Sequence, residues 1–170
     1  MLARVAEVAK DAHAEIRESI LTLRNGPEKK KSFTQDLKNY LDHFQANFGI
    51  RTDLSISPGT AVNTFDPALQ TQLIRVIQEA LSNVRMHSGA QTLKVCVELD
   101  TGKALITITD DGKGFDTSQP CNFDGSHFGL VYMRERMEQI GGSLTIESVP
   151  NGGTVLKMEA PVRVNEDKSR

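Results

Sequence analysis

Three short runs of this chain carry residue types that could do chemistry, and each also has a plain structural reading. The first is Gln78-Glu79-Ala80-Leu81-Ser82-Asn83-Val84-Arg85-Met86-His87. Glu79 and Asn83 stand four apart, so on a helix their side chains share one face. An amide oxygen and a carboxylate are hard oxygen donors, suited to magnesium and its bound water. The same spacing also describes two rim residues beside an apolar stripe. The second run is Asp110-Asp111-Gly112-Lys113-Gly114-Phe115. Two glycines one residue apart permit positive φ and let backbone approach a ligand closely. An aspartate at a strand end can accept a hydrogen bond from an exocyclic amine such as that of adenine. A hairpin turn built on Asp-Gly is the alternative. The third run, Gly125-Ser126-His127-Phe128-Gly129-Leu130, opens a helix. Backbone N–H groups at such a start, with the helix dipole behind them, favour an anion, and a phosphate would suit. An ordinary helix start explains the same residues. None of these is the phosphate loop that ends in Gly-Lys-Ser/Thr, and no helix opens at Gly114 as a dinucleotide fingerprint would require.

The elements that must position these runs are legible from periodicity and punctuation. Leu2, Val5, Ala9, Ala12, Ile16 and Leu23 form a narrow helical stripe among charged residues, as in a helix seeking a partner helix. A helix folded back on its own domain is the alternative. Asn25-Gly26-Pro27 ends it. A second helix is expected from about Ser32 to Phe48, then a strand carrying Thr52, Leu54 and Ile56, closed by Pro58-Gly59. Asp66 as cap and Pro67 in the first turn open a long helix with Leu69, Leu73, Val76, Ile77, Ala80, Leu81 and Val84 on its buried stripe. Two alternating strands follow, through Leu93, Val95, Val97 and Leu99 and then Leu105 to Thr109. A polar stretch to Ser126 leads to a helix over Gly129 to Ile140, stopped by Gly141-Gly142. The last strands lie around Leu144–Glu147 and Thr154–Glu159, and the tail from Asn165 is polar. Strand pairs joined by short turns predict a mixed, mostly antiparallel sheet with helices on one face, a two-layer α/β sandwich preceded by an N-terminal helix.

Bulk properties exclude several classes. With 170 residues the chain can bury a real core, and 38% hydrophobic with 25% charged residues is ordinary for a globular domain. A net charge of −2 gives no nucleic-acid footprint, and Lys29-Lys30-Lys31 reads as a solvated turn. No apolar stretch approaches the roughly 20 residues that span a bilayer. Cys96 and Cys121 lack metal-ligand spacing and read as reduced thiols of a cytoplasmic protein.

Taken in order, a Glu/Asn helix, a strand pair, Asp-x-Gly-x-Gly, a polar lid, a Gly-Leu helix and then Gly-Gly-Thr resemble one family of ATPases and kinases. It includes DNA gyrase B, the Hsp90 chaperones, the MutL repair proteins and the sensor histidine kinases, all built on the Bergerat-type fold. The resemblance covers about Phe65 to Pro161. Gln78–His87 is similar to the family's asparagine box, Asp110–Gly114 to its first glycine box, Phe128–Leu130 to the second and Gly152–Thr154 to the third. Gln-Glu-Ala-Leu-Ser-Asn, His-Phe-Gly-Leu before Met133-Arg134-Glu135-Arg136, and a short lid look most like the kinases paired with NarL-type response regulators.

That resemblance implies a set of roles. Asn83 would ligand magnesium on the ATP phosphates, and Glu79 would orient or deprotonate a nearby water or nucleophile. Asp110 would take the adenine amine with Thr154 in support. Gly112, Gly114, Gly129 and Leu130 would let backbone approach the nucleotide, while Arg85, His87 and His127 would join its binding. The resemblance also divides the chain into the end of a dimerisation helix and linker over 1–26, an ATP-binding catalytic domain over 30–164 and a disordered tail over 165–170. Its implied partners are an upstream dimerisation and phosphoacceptor domain, a NarL-type response regulator and a second copy in the full-length protein, with no nucleic acid and no membrane contact from this part. Three features depart from the pattern. Met86 stands where lysine often precedes the box histidine, and Ser126 where another glycine usually precedes the second glycine box. None of His13, His43, His87 and His127 is followed by the acid of the acceptor motif, so the phosphorylated histidine is expected upstream. A serine kinase of the anti-sigma-factor type and a non-catalytic nucleotide-binding docking module are the competing readings of the same fold.

Overall fold

The computed structural model describes residues 32–58, 65–117 and 128–162, all within the unit Ser32–Arg170. The expected N-terminal helix, the lid with Gly125, Ser126 and His127, and the tail lie outside the described residues.

Helix α1 spans Phe33–Phe48 and turns Phe33, Leu37, Leu41 and Phe44 inward, while Phe48 at its end is exposed. Strand β1 follows at Arg51–Ile56. Helix α2, Pro67–Asn83, starts as its sequence predicts: the Asp66 carboxylate accepts from the Leu69 N–H at 2.8 Å, and Pro67 occupies the first turn. Strands β2 (Thr92–Asp100) and β3 (Lys103–Asp110) form a hairpin through Thr101 and Gly102, both at positive φ, the two-residue turn that matches strand twist. Helix α3 (Phe128–Gln139) precedes β4 (Ser143–Ser148) and β5 (Thr154–Pro161).

The five strands order as β1-β2-β3-β5-β4. Only β1 and β2 pair in parallel; the other three pairings are antiparallel. This is the mixed, mostly antiparallel sheet read from the sequence. Burial alternates strictly along the central strands, with Leu93, Val95 and Val97 on β2, Ala104, Ile106 and Ile108 on β3, and Leu156, Met158 and Ala160 on β5 all buried. One face therefore carries the core, and the stripes of α1, α2 and α3 close it, with Leu73, Val76, Ile77, Met133 and Met137 essentially without exposure. The opposite face carries Lys94, Glu98, Lys157 and Glu147, the last two joined by an exposed ion pair.

One local feature departs from expectation. The asparagine-box segment does not lie on a single α-helix: α2 stops at Asn83, and Val84–Ser88 form a π-helical turn ended by Gly89. A π turn inserts an extra residue per turn, is rare, and concentrates at functional sites.

Candidate functional site

The core rows of the sheet end in a polar row. Cross-strand partners align Ile106 with Met158 and Leu144, then Ile108 with Leu156 and Ile146, and finally Asp110 with Thr154 and Ser148. Partners in antiparallel register point to the same face, so Asp110, Thr154 and Ser148 continue the buried face at the sheet's end. Asp110 is 6% exposed and is the one buried polar residue among those described. Its carboxylate accepts from the Gly112 N–H at 2.8 Å, and Thr154 is its partner across the strand register. Burial pushes its pKa up, against the lowering effect of the Gly112 N–H and the Thr154 hydroxyl, with the neighbouring Asp111 charge adding to the rise. A carboxylate held this way keeps acceptor capacity while its charged form is disfavoured, which suits recognition of a neutral donor such as an exocyclic amine.

The loop after Asp110 is fixed on both sides. Asp111 is exposed, yet its carboxylate accepts from Gln91 N–H, Thr92 N–H and the Thr92 hydroxyl at 2.8, 2.9 and 2.7 Å. These bonds, led by those from Thr92, hold its pKa below the usual carboxylate range. The Lys113 N–H donates to the Ser88 carbonyl at 2.8 Å, and a side chain at Gly112 would meet Ser88 Cβ and carbonyl at 2.6 Å. The π turn is thus packed directly on the glycine loop. Gly114, at φ +58, would drive any Cβ into the Val149 and Gly153 carbonyls. The loop is not a hairpin turn: β3 pairs with β2 and β5, so Asp110-Asp111-Gly112 leads out of the sheet instead of joining two neighbouring strands.

Glu79 and Asn83 are half-buried on α2. Gly129, the second residue of α3, rests on both: a Cβ there would collide with the Glu79 carboxylate and come within 3.4 Å of Asn83 Nδ2. The structure therefore brings the asparagine box against the second glycine box, with Leu130 beside Gly129 packed at the edge of the core. Arg85 lies elsewhere, its guanidinium 4.9 Å from the centre of the Phe48 ring at the end of α1. His87 and Met86 are exposed on the π turn.

Two contributors escaped the sequence reading. Ser148 Oγ accepts from the Phe115 N–H at 2.9 Å, donates to the Gly153 carbonyl at 2.7 Å and stands 3.2 Å from Thr154 Oγ1. Ser88 supplies the contacts to Gly112 and Lys113. The only signal for Ser148 was its inward place in the alternation of β4; for Ser88 there was none, because its role depends on the π turn.

Residues 68–164 match the family model described as histidine kinase-, DNA gyrase B- and HSP90-like ATPase. The chain is 34% identical over 161 residues to the signal transduction histidine-protein kinase/phosphatase DegS of Brevibacillus brevis, covering 94% of this chain and 40% of that protein. It is 32% identical to the sensor histidine kinase LiaS of Bacillus subtilis, covering 93% and 42%. The chain thus spans about two fifths of the length of these relatives. Among solved structures, the mycobacterial sensor histidine kinase MprB superposes with a TM-score of 0.56 at 21% identity, over 77% of this chain and 95% of that one. The Acinetobacter baumannii histidine kinase AdeS gives 0.58 at 13% identity, over 77% and 64%. Both share the fold.

Proposed function

The chain belongs to the histidine kinase-, DNA gyrase B- and HSP90-like ATPase family, and on that premise we propose that it is the ATP-binding catalytic domain of a two-component sensor histidine kinase. The observation that carries the reading is Asp110: a buried carboxylate at a strand end, oriented by Gly112 and Thr154 and set in the first glycine box. Asp110 receives the adenine amine. The N-terminus of α3, with Gly129 and Leu130, faces the phosphates, where free N–H groups and the helix dipole favour negative charge. His127, and His87 of the asparagine box, join the binding of the nucleotide.

Asn83 and Glu79 fit magnesium chemically, since both offer hard oxygen and both stand half-buried against Gly129. Asn83 would hold the magnesium, which when bound would neutralise phosphate charge. Glu79 orients the attacking nucleophile and takes its proton. Phosphoryl transfer needs mainly positioning and charge stabilisation, and a loop fixed by Asp111, Ser88 and Ser148 supplies the first of these. The accepting histidine belongs to an upstream dimerisation domain, the whole protein acts as a homodimer that holds this domain in the cytoplasm, and the phosphoryl group passes on to a NarL-type response regulator. The sensor-kinase relatives favour this reading over a serine kinase or a docking module.

Calorimetric titration with a non-hydrolysable ATP analogue, with and without magnesium, tests the reading. Binding that strengthens with magnesium, falls at least about tenfold in Asp110→Asn and loses its magnesium dependence in Asn83→Ala is expected. A wild-type chain that binds no nucleotide overturns it.

A further inference from the structure

The Met133-Arg134-Glu135-Arg136 run supplies no group to the nucleotide site, yet its last side chain is fixed on two sides. Arg136 Nη1 donates to Gln72 Oε1 at 2.7 Å, and the guanidinium lies 4.0 Å from the centre of the Tyr132 ring. Its Nε is buried and has no hydrogen-bond acceptor among the described residues. Gln72, Arg75 and Glu79 recur at three- and four-residue spacing on α2, so they share one face. That face follows α3 in the antiparallel sense, with Gln72 at Arg136 and Glu79 at Gly129. Arg75 therefore stands between the two ends, one turn from Glu79 and beside Arg136. It is exposed, and neither guanidinium is paired with a carboxylate among the described residues. The two cations repel each other: burial first, and then the Arg75 charge, lower the pKa of Arg136. Val131 and Tyr132 add apolar surface on the same helix, at 47% and 44% exposure. The fold gains nothing from two uncompensated guanidiniums side by side, and departures of that kind concentrate at functional sites.

We propose that Arg75, Arg136 and Tyr132 form a docking strip for an acidic segment of the phosphoacceptor domain, which brings the accepting histidine to Glu79. This rests on the reading of the chain as a kinase whose acceptor lies in another domain. Charge selects the chemistry of the partner. Guanidinium groups recognise carboxylates through paired N–H donors, and one already oriented by an aromatic ring loses less freedom on binding. Position selects the domain. Arg75 lies about 6 Å along the helix axis from Glu79, so a segment seated on the strip holds its neighbouring residues over the catalytic carboxylate. Tyrosine and arginine together are also the side chains that most often anchor protein interfaces.

The test measures transfer from γ-labelled ATP to a separately made phosphoacceptor domain of a similar sensor kinase, one that its own catalytic domain labels. Acceptor concentration is varied, and ATP affinity of the full chain is measured in parallel. Arg75→Glu changes an exposed residue and reads docking without touching the core. It should raise the KM for the acceptor domain about tenfold, because reversal replaces an attraction with a repulsion. Both kcat and ATP affinity should stay within about twofold. Arg75→Lys keeps the charge and should return KM to within about threefold of wild type. Arg136→Met keeps an apolar contact with Tyr132 but drops the charge, and should raise KM about fivefold. Wild-type KM should also rise between about 0.05 and 0.3 M salt, while that of Arg75→Glu should not. A fall in kcat at constant KM, or a loss of ATP affinity in Arg75→Glu, assigns the pair to the chemistry or to the phosphates and overturns the proposal. If wild type and Arg75→Glu label the acceptor domain with equal KM, only the docking strip fails. If wild type binds ATP and labels no acceptor domain, the kinase reading fails and takes this inference with it.

Discussion

Asp110 and Asp111 are neighbours with opposite electrostatic situations, and the difference decides what each can do. Asp111 is exposed and its charge is met by three donors from the start of β2, so ionisation favours the fold. That contribution is complete above the unfolded pKa near 3.8 and is lost as pH falls through the lower folded value. Asp110 has the opposite sign. Its folded pKa is raised by burial, so folding takes up a proton between 3.8 and the raised value. Stability attached to the neutral form is complete below 3.8 and is lost as pH rises through the folded pKa, above which the full penalty of the buried charge applies. The group proposed to bind adenine is therefore one that works against the fold. Asp110→Asn keeps an acceptor for the Gly112 N–H and removes the buried charge. Its midpoint of thermal unfolding at neutral pH should equal or exceed that of wild type, while ATP affinity drops at least about tenfold. A clear fall in the midpoint would mean that the carboxylate is structural. Asp111→Ala should do the reverse, lowering the midpoint at neutral pH with a difference that narrows under acid.

At the scale of elements, the glycines separate into two kinds that the sequence presents alike. Gly114 needs its positive φ and is hemmed in by backbone carbonyls of the β4–β5 turn. Gly114→Ala meets both the left-handed strain, about 1–2 kcal/mol, and a collision with atoms that cannot move aside, so the unfolding midpoint should fall by several degrees. Gly129 lies in a helix at ordinary φ, and its new methyl would meet the end of the flexible Glu79 side chain. Gly129→Ala should leave the midpoint within about two degrees and instead displace Glu79, lowering phosphoryl transfer with little loss of fold. Equal destabilisation of both variants would defeat this distinction. The inward rows of β2, β3 and β5 were legible because period-two alternation is set by burial on one face. The cap at Asp66 and the turn at Thr101-Gly102 have equally local causes. The parallel edge position of β1 was not legible, since alternation announces a strand without naming its partner. Nor was the π turn, because Val84–Ser88 contains nothing that an α-helix would refuse. The Asp110–Thr154–Ser148 row depends on the register of three strands, so Ser148 became visible only once they were paired.

For the whole molecule, a catalytic half and an acceptor half are separable because phosphoryl transfer demands approach of two sites, not one continuous chain. The chain spans about two fifths of its relatives, and its described histidines are poorly placed as acceptors. His43 is exposed on the outer face of α1, and His87 is exposed on the π turn within the asparagine box itself. Neither is followed by the acid that the acceptor motif carries. Incubated alone with γ-labelled ATP and magnesium, the chain should therefore bind nucleotide yet acquire no acid-labile phosphohistidine. Adding a separately made dimerisation domain of a similar sensor kinase should place the label on that domain's histidine. Glu79→Gln should slow the transfer by about a hundredfold, the lower range for loss of a positioned general base, while ATP affinity stays within about threefold. That split between transfer and binding separates a catalytic Glu79 from one that merely packs against Gly129, since displaced packing would disturb both. Label found by mass spectrometry on His43 or His87 of the isolated chain would overturn the trans arrangement, because the acceptor would then lie inside the domain that binds the donor.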